Sequence, residues 1–205
     1  MTLYAVKPMF QACLRPLTAR LAAAGVTANQ VTIAAAAGSC LVGLLVAIVP
    51  VQGMFMLLPA WLLVRMALNA IDGMLAREHG QASRLGACLN ELGDTVSDAA
   101  LYAPFALVAP LGAGPVVLVI GLAVLSEYAG VLGVVIGSAR RYEGPMGKSD
   151  RALAFGALGL WIGLGGALPA PAAVIPWILA LLLVLTIVNR LRAALREAPA
   201  SEMRS

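Results

Sequence analysis

Six apolar stretches dominate this chain: about Val31 to Val49, Met54 to Arg77, Gly86 to Pro110, Pro115 to Ser138, Ala152 to Leu168 and Ala173 to Val188. Each approaches the ~20 residues that a helix needs to cross a bilayer. Hydrophobic residues make up 61% of the sequence and charged ones 12%. So few charges cannot cover a soluble globule of 205 residues, and so apolar a chain is not intrinsically disordered. The expected architecture is an all-α integral membrane protein with six transmembrane helices.

The connections fix an orientation. PVQG, LGAGP and LPAPA carry no charge, whereas the opposite side holds 13 of the 14 basic residues. The excess of Lys and Arg marks the cytoplasmic side, so both termini are expected in the cytoplasm of an inner (plasma) membrane protein. The net charge of +4 is then a matter of topology and calls for no nucleic-acid partner. Residues 1–26 mix Tyr4, Phe10, Leu14, Leu17 and Leu21 with Lys7, Arg15 and Arg20, the pattern of an amphipathic helix lying in the membrane interface. The segment lacks the long apolar run of a signal peptide. Gly25 would end this helix and Thr27 would begin the first span. Residues 27–190 form the transmembrane domain, and 191–205 read as a solvated basic tail. Cys13, Cys40 and Cys88 are too scattered for a metal cluster, and His79 reads as a surface residue.

Ionisable groups are costly inside a span, about 2.5–3.5 kcal/mol each on insertion scales, and default to functional candidates. Here they converge. Arg65, Asn69, Asp72, Gly73, Ala76 and Arg77 share one face at the end of the second span, and Asn90, Asp94 and Asp98 share one at the start of the third, bordered by Glu91. The short EHGQASRL connection would bring these faces together roughly 12 Å below the helix ends. Carboxylate and amide oxygens suit a hard divalent cation, and arginines suit phosphate oxygens. The same residues could form a transporter's charge pathway or a structural ion cluster. Arg65, Asp98 and Glu127 lie deeper, at about 18 Å, and are expected to form a buried ion network. Gly144-Pro-Met-Gly-Lys-Ser lacks the spacing and preceding strand of a phosphate-binding loop.

The run Asp72-Gly73-x2-Ala76-Arg77-x8-Gly86-x3-Asn90-x3-Asp94 resembles the signature of the CDP-alcohol phosphotransferase (phosphatidyltransferase) family, D-x2-D-G-x2-A-R-x8-G-x3-D-x3-D. The resemblance implies transfer of a phosphatidyl group from CDP-diacylglycerol to a small polar alcohol, with release of CMP, in a Mg²⁺- or Mn²⁺-dependent and commonly homodimeric enzyme of phospholipid biosynthesis embedded in membrane lipid. It implies Asp72 as a metal ligand, Asp94 as general base and metal ligand, and Gly73, Ala76, Arg77 and Gly86 around the nucleotide and diphosphate. Arg140, Arg141, Lys148 and Arg151 are the candidates for an acceptor's phosphate. The sequence departs from the signature at Asn69 and Asn90, which stand where the family has aspartate. An amide can offer a metal its oxygen but no charge. Either Glu91 or Asp98 supplies the missing charge in a rewired site, or the chain binds lipid or nucleotide without turnover.

Overall fold

The computed structural model describes residues 3–49 and 51–198. Among them are seven helices: α1 (Leu3–Ala23), α2 (Ala28–Ile48), α3 (Leu57–Glu78), α4 (Arg84–Tyr102), α5 (Ala113–Val135), α6 (Lys148–Gly163) and α7 (Ile175–Glu197). Short 3₁₀ turns at Gln52–Met56, Ala103–Leu107 and Ala170–Val174 precede or follow them. No strand occurs among the described residues.

Local chemistry sets the boundaries. Gly25, at φ +78°, takes the left-handed conformation that closes α1; Val26 N–H then reaches the Leu21 carbonyl and Gly25 N–H that of Ala22, a Schellman termination. Thr27 starts α2 with a capping box. Its hydroxyl accepts from Gln30 N–H, and the Gln30 side chain accepts from Thr27 N–H. Ser83 caps α4 by accepting from Gly86 N–H at 2.9 Å. Pro104 lies in the 3₁₀ turn that follows α4, so the third apolar stretch is a helix plus a turn instead of one helix to Pro110. α6 begins four residues earlier than expected, at Lys148, because the Asp150 carboxylate accepts from Gly147 N–H at 2.9 Å and starts the helix there. α7 continues to Glu197 through the helix-forming LRAALRE, so residues 191–197 are helical; 199–205 lie outside the described residues.

Among the described residues, four helical segments are long and apolar enough to cross a membrane: Ala28–Ile48, Gln52–Glu78, Ala113–Val135 and Ala170–Glu197. α4 carries Arg84, Glu91, Asp94 and Asp98, and α6 has only 16 residues. Leu41, Leu44, Leu63, Val117, Leu181 and Val184 face outward, as they do in a protein solvated by lipid. The protein is an all-α integral membrane protein.

Packing determines where the polar residues can meet. α2 packs on both α3 and α4, and α5 packs on α7. α2 comes close to α4 at Gly43, where an added Cβ would sit 2.2 Å from the Ala100 carbonyl oxygen. α3 and α4 share little direct packing among the described residues, so the gap between them is bridged by long polar side chains. Leu101, Tyr102, Phe105 and Phe155 belong to the main apolar core, with the Tyr102 and Phe155 rings stacked at 4.0 Å. A second apolar cluster of Val31, Ile71, Met74 and Leu75 lies under α1. Arg15 of α1 binds Glu78 of α3 through two hydrogen bonds of 2.9 and 3.0 Å.

Candidate active site

The polar faces of α3 and α4 meet at Asp94. Its Oδ1 accepts from Arg65 Nη2 and from Asn69 Nδ2, each at 3.0 Å. Its Oδ2 contacts the Lys148 ammonium at the start of α6. Asp72, one turn beyond Asn69, is buried, and its Oδ2 accepts from the Thr32 hydroxyl of α2 at 2.8 Å. The Arg77 side chain folds back over Gly73, where a Cβ would lie 2.8 Å from Nη2. Gly86 has a similar role between helices: a Cβ there would lie 2.8 Å from Asn29 Oδ1 of α2. Ala76 packs against the apolar cluster under α1.

Deeper in the bundle, Asp98 lies between two arginines. Oδ1 accepts from Arg65 Nη1 at 2.5 Å and Oδ2 from Arg151 Nη2 at 2.9 Å. Arg151, only 2% exposed, continues to Glu127 at 2.9 Å and to the Ser126 hydroxyl at 3.3 Å. Glu127 also takes Arg140 at 3.1 Å and Arg190 at 3.4 Å. Arg190 Nη1 donates to the Ser126 carbonyl oxygen at 2.5 Å. One continuous chain of ion pairs thus ties α3, α4, α5, α6 and α7 together. Buried charges this dense are tolerated because each is paired, although the buried Nε–H groups of Arg65, Arg140, Arg151 and Arg190 find no acceptor among the described residues.

Lys148 is held in place by the 138–147 segment. Arg141 N–H donates to the Gly130 carbonyl oxygen at 3.0 Å and Met146 N–H donates to the Thr186 hydroxyl at 2.9 Å. Gly144, at φ +131°, fits against Thr186 where a Cβ would come within 2.6 Å. The four acceptor candidates do not form one patch. Arg151 is buried in the network, and Arg141 turns to Glu143 and Glu197. Arg140 and Lys148 face a cavity of about 330 Å³ that is also lined by Asn90, Glu91, Asp94 and Arg190. Burial alone would lower the Arg140 guanidinium's pKa, but Glu91, in contact at 2.6 Å, holds it above its ordinary value. Glu143 sits below the usual carboxylate range, because its own N–H and that of Tyr142 hydrogen-bond its carboxylate.

No three Asp, Glu, His or Cys residues converge to hold a metal ion among the described residues. Glu91 and Asp98 are engaged by arginines. The signature positions themselves offer Asp72, Asp94 and the amide oxygens of Asn69 and Asn90, with Asp94 held by Arg65 and Lys148 and Asp72 by Thr32. This all-oxygen set matches the chemistry of a hard divalent cation and carries two negative charges. Sequence reasoning missed Thr32, Ser126 and Arg190. Thr32 lies one turn beyond the Thr27 cap in an apolar span, and Arg190 is indistinguishable by sequence from its topological neighbours Arg192 and Arg196.

A CDP-alcohol phosphatidyltransferase family model matches residues 25–199, and the chain belongs to that family of enzymes, which transfer substituted phosphate groups. It is 47% identical over 195 residues to the inner membrane protein YnbA of Escherichia coli (strain K12), covering 95% of this chain and 97% of that one. Its fold resembles that of Mycobacterium tuberculosis phosphatidylinositol phosphate synthase (PgsA1). The complex of that protein with manganese and citrate superposes with a TM-score of 0.74 at 22% identity, covering 93% of this chain and 92% of that one. The form with CDP-DAG bound gives 0.74 at 21% identity, over 93% and 97%.

Proposed function

We propose that this protein transfers a phosphatidyl group from CDP-diacylglycerol to a small polar alcohol in phospholipid biosynthesis. The reading is supported above all by Asp94, a carboxylate on the wall of a cavity large enough for a small ligand, with an ammonium and a guanidinium already in contact with it. The acceptor hydroxyl attacks the lipid-linked phosphorus and Asp94 takes its proton. The bond to CMP breaks, and the leaving phosphate keeps the electron pair. Lys148 moves from Asp94 to the donor's diphosphate, which frees Oδ2 to act as the base. Arg65 and Asn69 continue to orient the carboxylate through Oδ1. Arg77, lying over Gly73, adds a second cation for the diphosphate, and Gly86 sets the approach of α4 to α2.

Asp72, Asp94, Asn69 and Asn90 would hold a Mg²⁺ or Mn²⁺ ion. Bound there, it supplies charge neutralisation at the diphosphate. The buried arginine–carboxylate chain fixes the helices that carry these groups. In this reading all six apolar stretches cross the membrane, α4 and α6 with their polar faces turned inward, and α1 lies in the cytoplasmic interface. Both termini and the active site are cytoplasmic, and the enzyme is a homodimer. Purified protein in lipid nanodiscs should release CMP from CDP-diacylglycerol when given a panel of polar alcohols and Mg²⁺ or Mn²⁺, and chelation should stop it. Donor binding without CMP release across the panel would instead identify a binding protein, a reading supported by the full engagement of the Asp94 oxygens.

A further inference from the structure

The cavity beside Asp94 contains three cations, and none is free. Arg140 contacts Glu91 at 2.6 Å and Glu127 at 3.1 Å. Arg190 contacts Glu127 at 3.4 Å, and Lys148 contacts Asp94. The face of the Arg140 guanidinium is covered by the Tyr142 ring, 4.5 Å away. A further acid, Asp150, lines the same cavity and accepts from Gly147 N–H. The wall itself has four carboxylates against three cations, and two of those carboxylates, Asp94 and Glu127, also hold Arg65 and Arg151 from behind it, so no cation is left over. A pocket that selects a phosphorylated ligand needs cations in excess, aimed at the anion and not already neutralised. This pocket is arranged the other way.

The donor adds further negative charge. Its diphosphate must lie within reach of Asp94, and Lys148 is the cavity cation that would turn to it. An acceptor arriving with its own dianionic phosphate would then face Glu91, Glu127 and Asp150 with Arg140 and Arg190 still paired. A neutral hydroxyl compound meets no such opposition. Its hydroxyls can accept from the guanidiniums and donate to the carboxylates, and an ammonium group on it would find acid partners.

Resting on the transferase reading, we infer that the acceptor is an alcohol without a phosphate group, a neutral polyol or an amino alcohol, selected by a cavity whose every cation is paired with a carboxylate. The reaction is then the formation of a phosphodiester lipid directly from a free alcohol. No later phosphatase is needed to remove a terminal phosphate from the product.

The test uses full-length protein in nanodiscs with CDP-diacylglycerol and matched acceptor pairs whose phosphorylated member keeps a free hydroxyl: glycerol with glycerol phosphate, inositol with inositol phosphate, serinol with serinol phosphate. CMP release and the mass of the new lipid are both recorded. The unphosphorylated member of the productive pair should have a kcat/KM roughly tenfold or more above its phosphorylated partner. Glu91→Gln, at a partly exposed site on α4, leaves Arg140 with Glu127 alone and should narrow that ratio several-fold. A phosphorylated acceptor used equally well or better overturns the inference and leaves the transferase reading standing. An unchanged ratio in the Glu91 variant overturns the charge argument. Donor binding with no CMP release from any pair overturns the transferase reading, and this inference with it.

Discussion

Replacing Asp98 with asparagine tests whether the deep carboxylate is a structural counter-ion or a metal ligand. Asp98 accepts from Arg65 at 2.5 Å and from Arg151 at 2.9 Å, and the three side chains are 5%, 2% and 6% exposed for Arg65, Arg151 and Asp98. An amide keeps one acceptor oxygen and points its NH₂ donors at the other guanidinium. Removing one partner of a buried ion pair costs about 3–5 kcal/mol. The cost here should fall near the lower end, about 3 kcal/mol, because Arg65 retains Asp94 at 3.0 Å and Arg151 retains Glu127 at 2.9 Å. For a chain of this size that lowers the thermal midpoint by roughly 6–12 °C. Thermal unfolding of Asp98→Asn in nanodiscs, run beside a Mg²⁺ titration of CMP release, separates the two roles. The structure requires a lowered midpoint and an unchanged metal requirement in the protein that remains folded. An unchanged midpoint with a raised metal requirement would refute the counter-ion role and make Asp98 a ligand.

Thr32→Val removes the hydroxyl that donates to Asp72 at 2.8 Å. Hydrogen bonds to charged groups are worth about 1.5–3 kcal/mol, so metal or donor affinity should fall about tenfold or more, and Thr32→Ser should restore it. Asn69→Asp would replace the amide that donates to Asp94 at 3.0 Å with a second carboxylate, and without a cation between them the two raise one another's pKa. Turnover at saturating metal should drop at least about tenfold, and a gain in turnover would indicate a decayed site instead of a rewired one. Gly43→Ala would push a methyl group to within 2.2 Å of the Ala100 carbonyl oxygen. The resulting separation of α2 from α4 should cost about 1–3 kcal/mol, read as a lower unfolding midpoint.

The helices could be read from the sequence because lipid enforces them: a long apolar run has no other way to satisfy its backbone, and Gly25, Thr27 and Ser83 mark their ends. The signature spacing identified the α3 and α4 faces and placed Asp94 between them. What the sequence could not show was which helix packs against both α3 and α4. α2 does, so the hydroxyl that donates to Asp72 comes from Thr32, an unremarkable residue in an apolar span. The fate of the basic residues after α5 was also hidden. Arg140, Arg141, Lys148 and Arg151 look alike as positive-inside charges. Asp150 starts α6 early enough to put Arg151 on its buried face, and the docking of Met146 on Thr186 brings Lys148 over Asp94. Pairing is a tertiary property, and local composition does not encode it.

In the proposed transfer Asp94 takes the acceptor's proton. Single-turnover CMP release by Asp94→Asn, with donor bound and acceptor saturating, tests it most directly. The variant should still bind CDP-diacylglycerol and release CMP about 10²–10⁴ times more slowly than the parent; a rate within a few-fold of the parent would contradict the account.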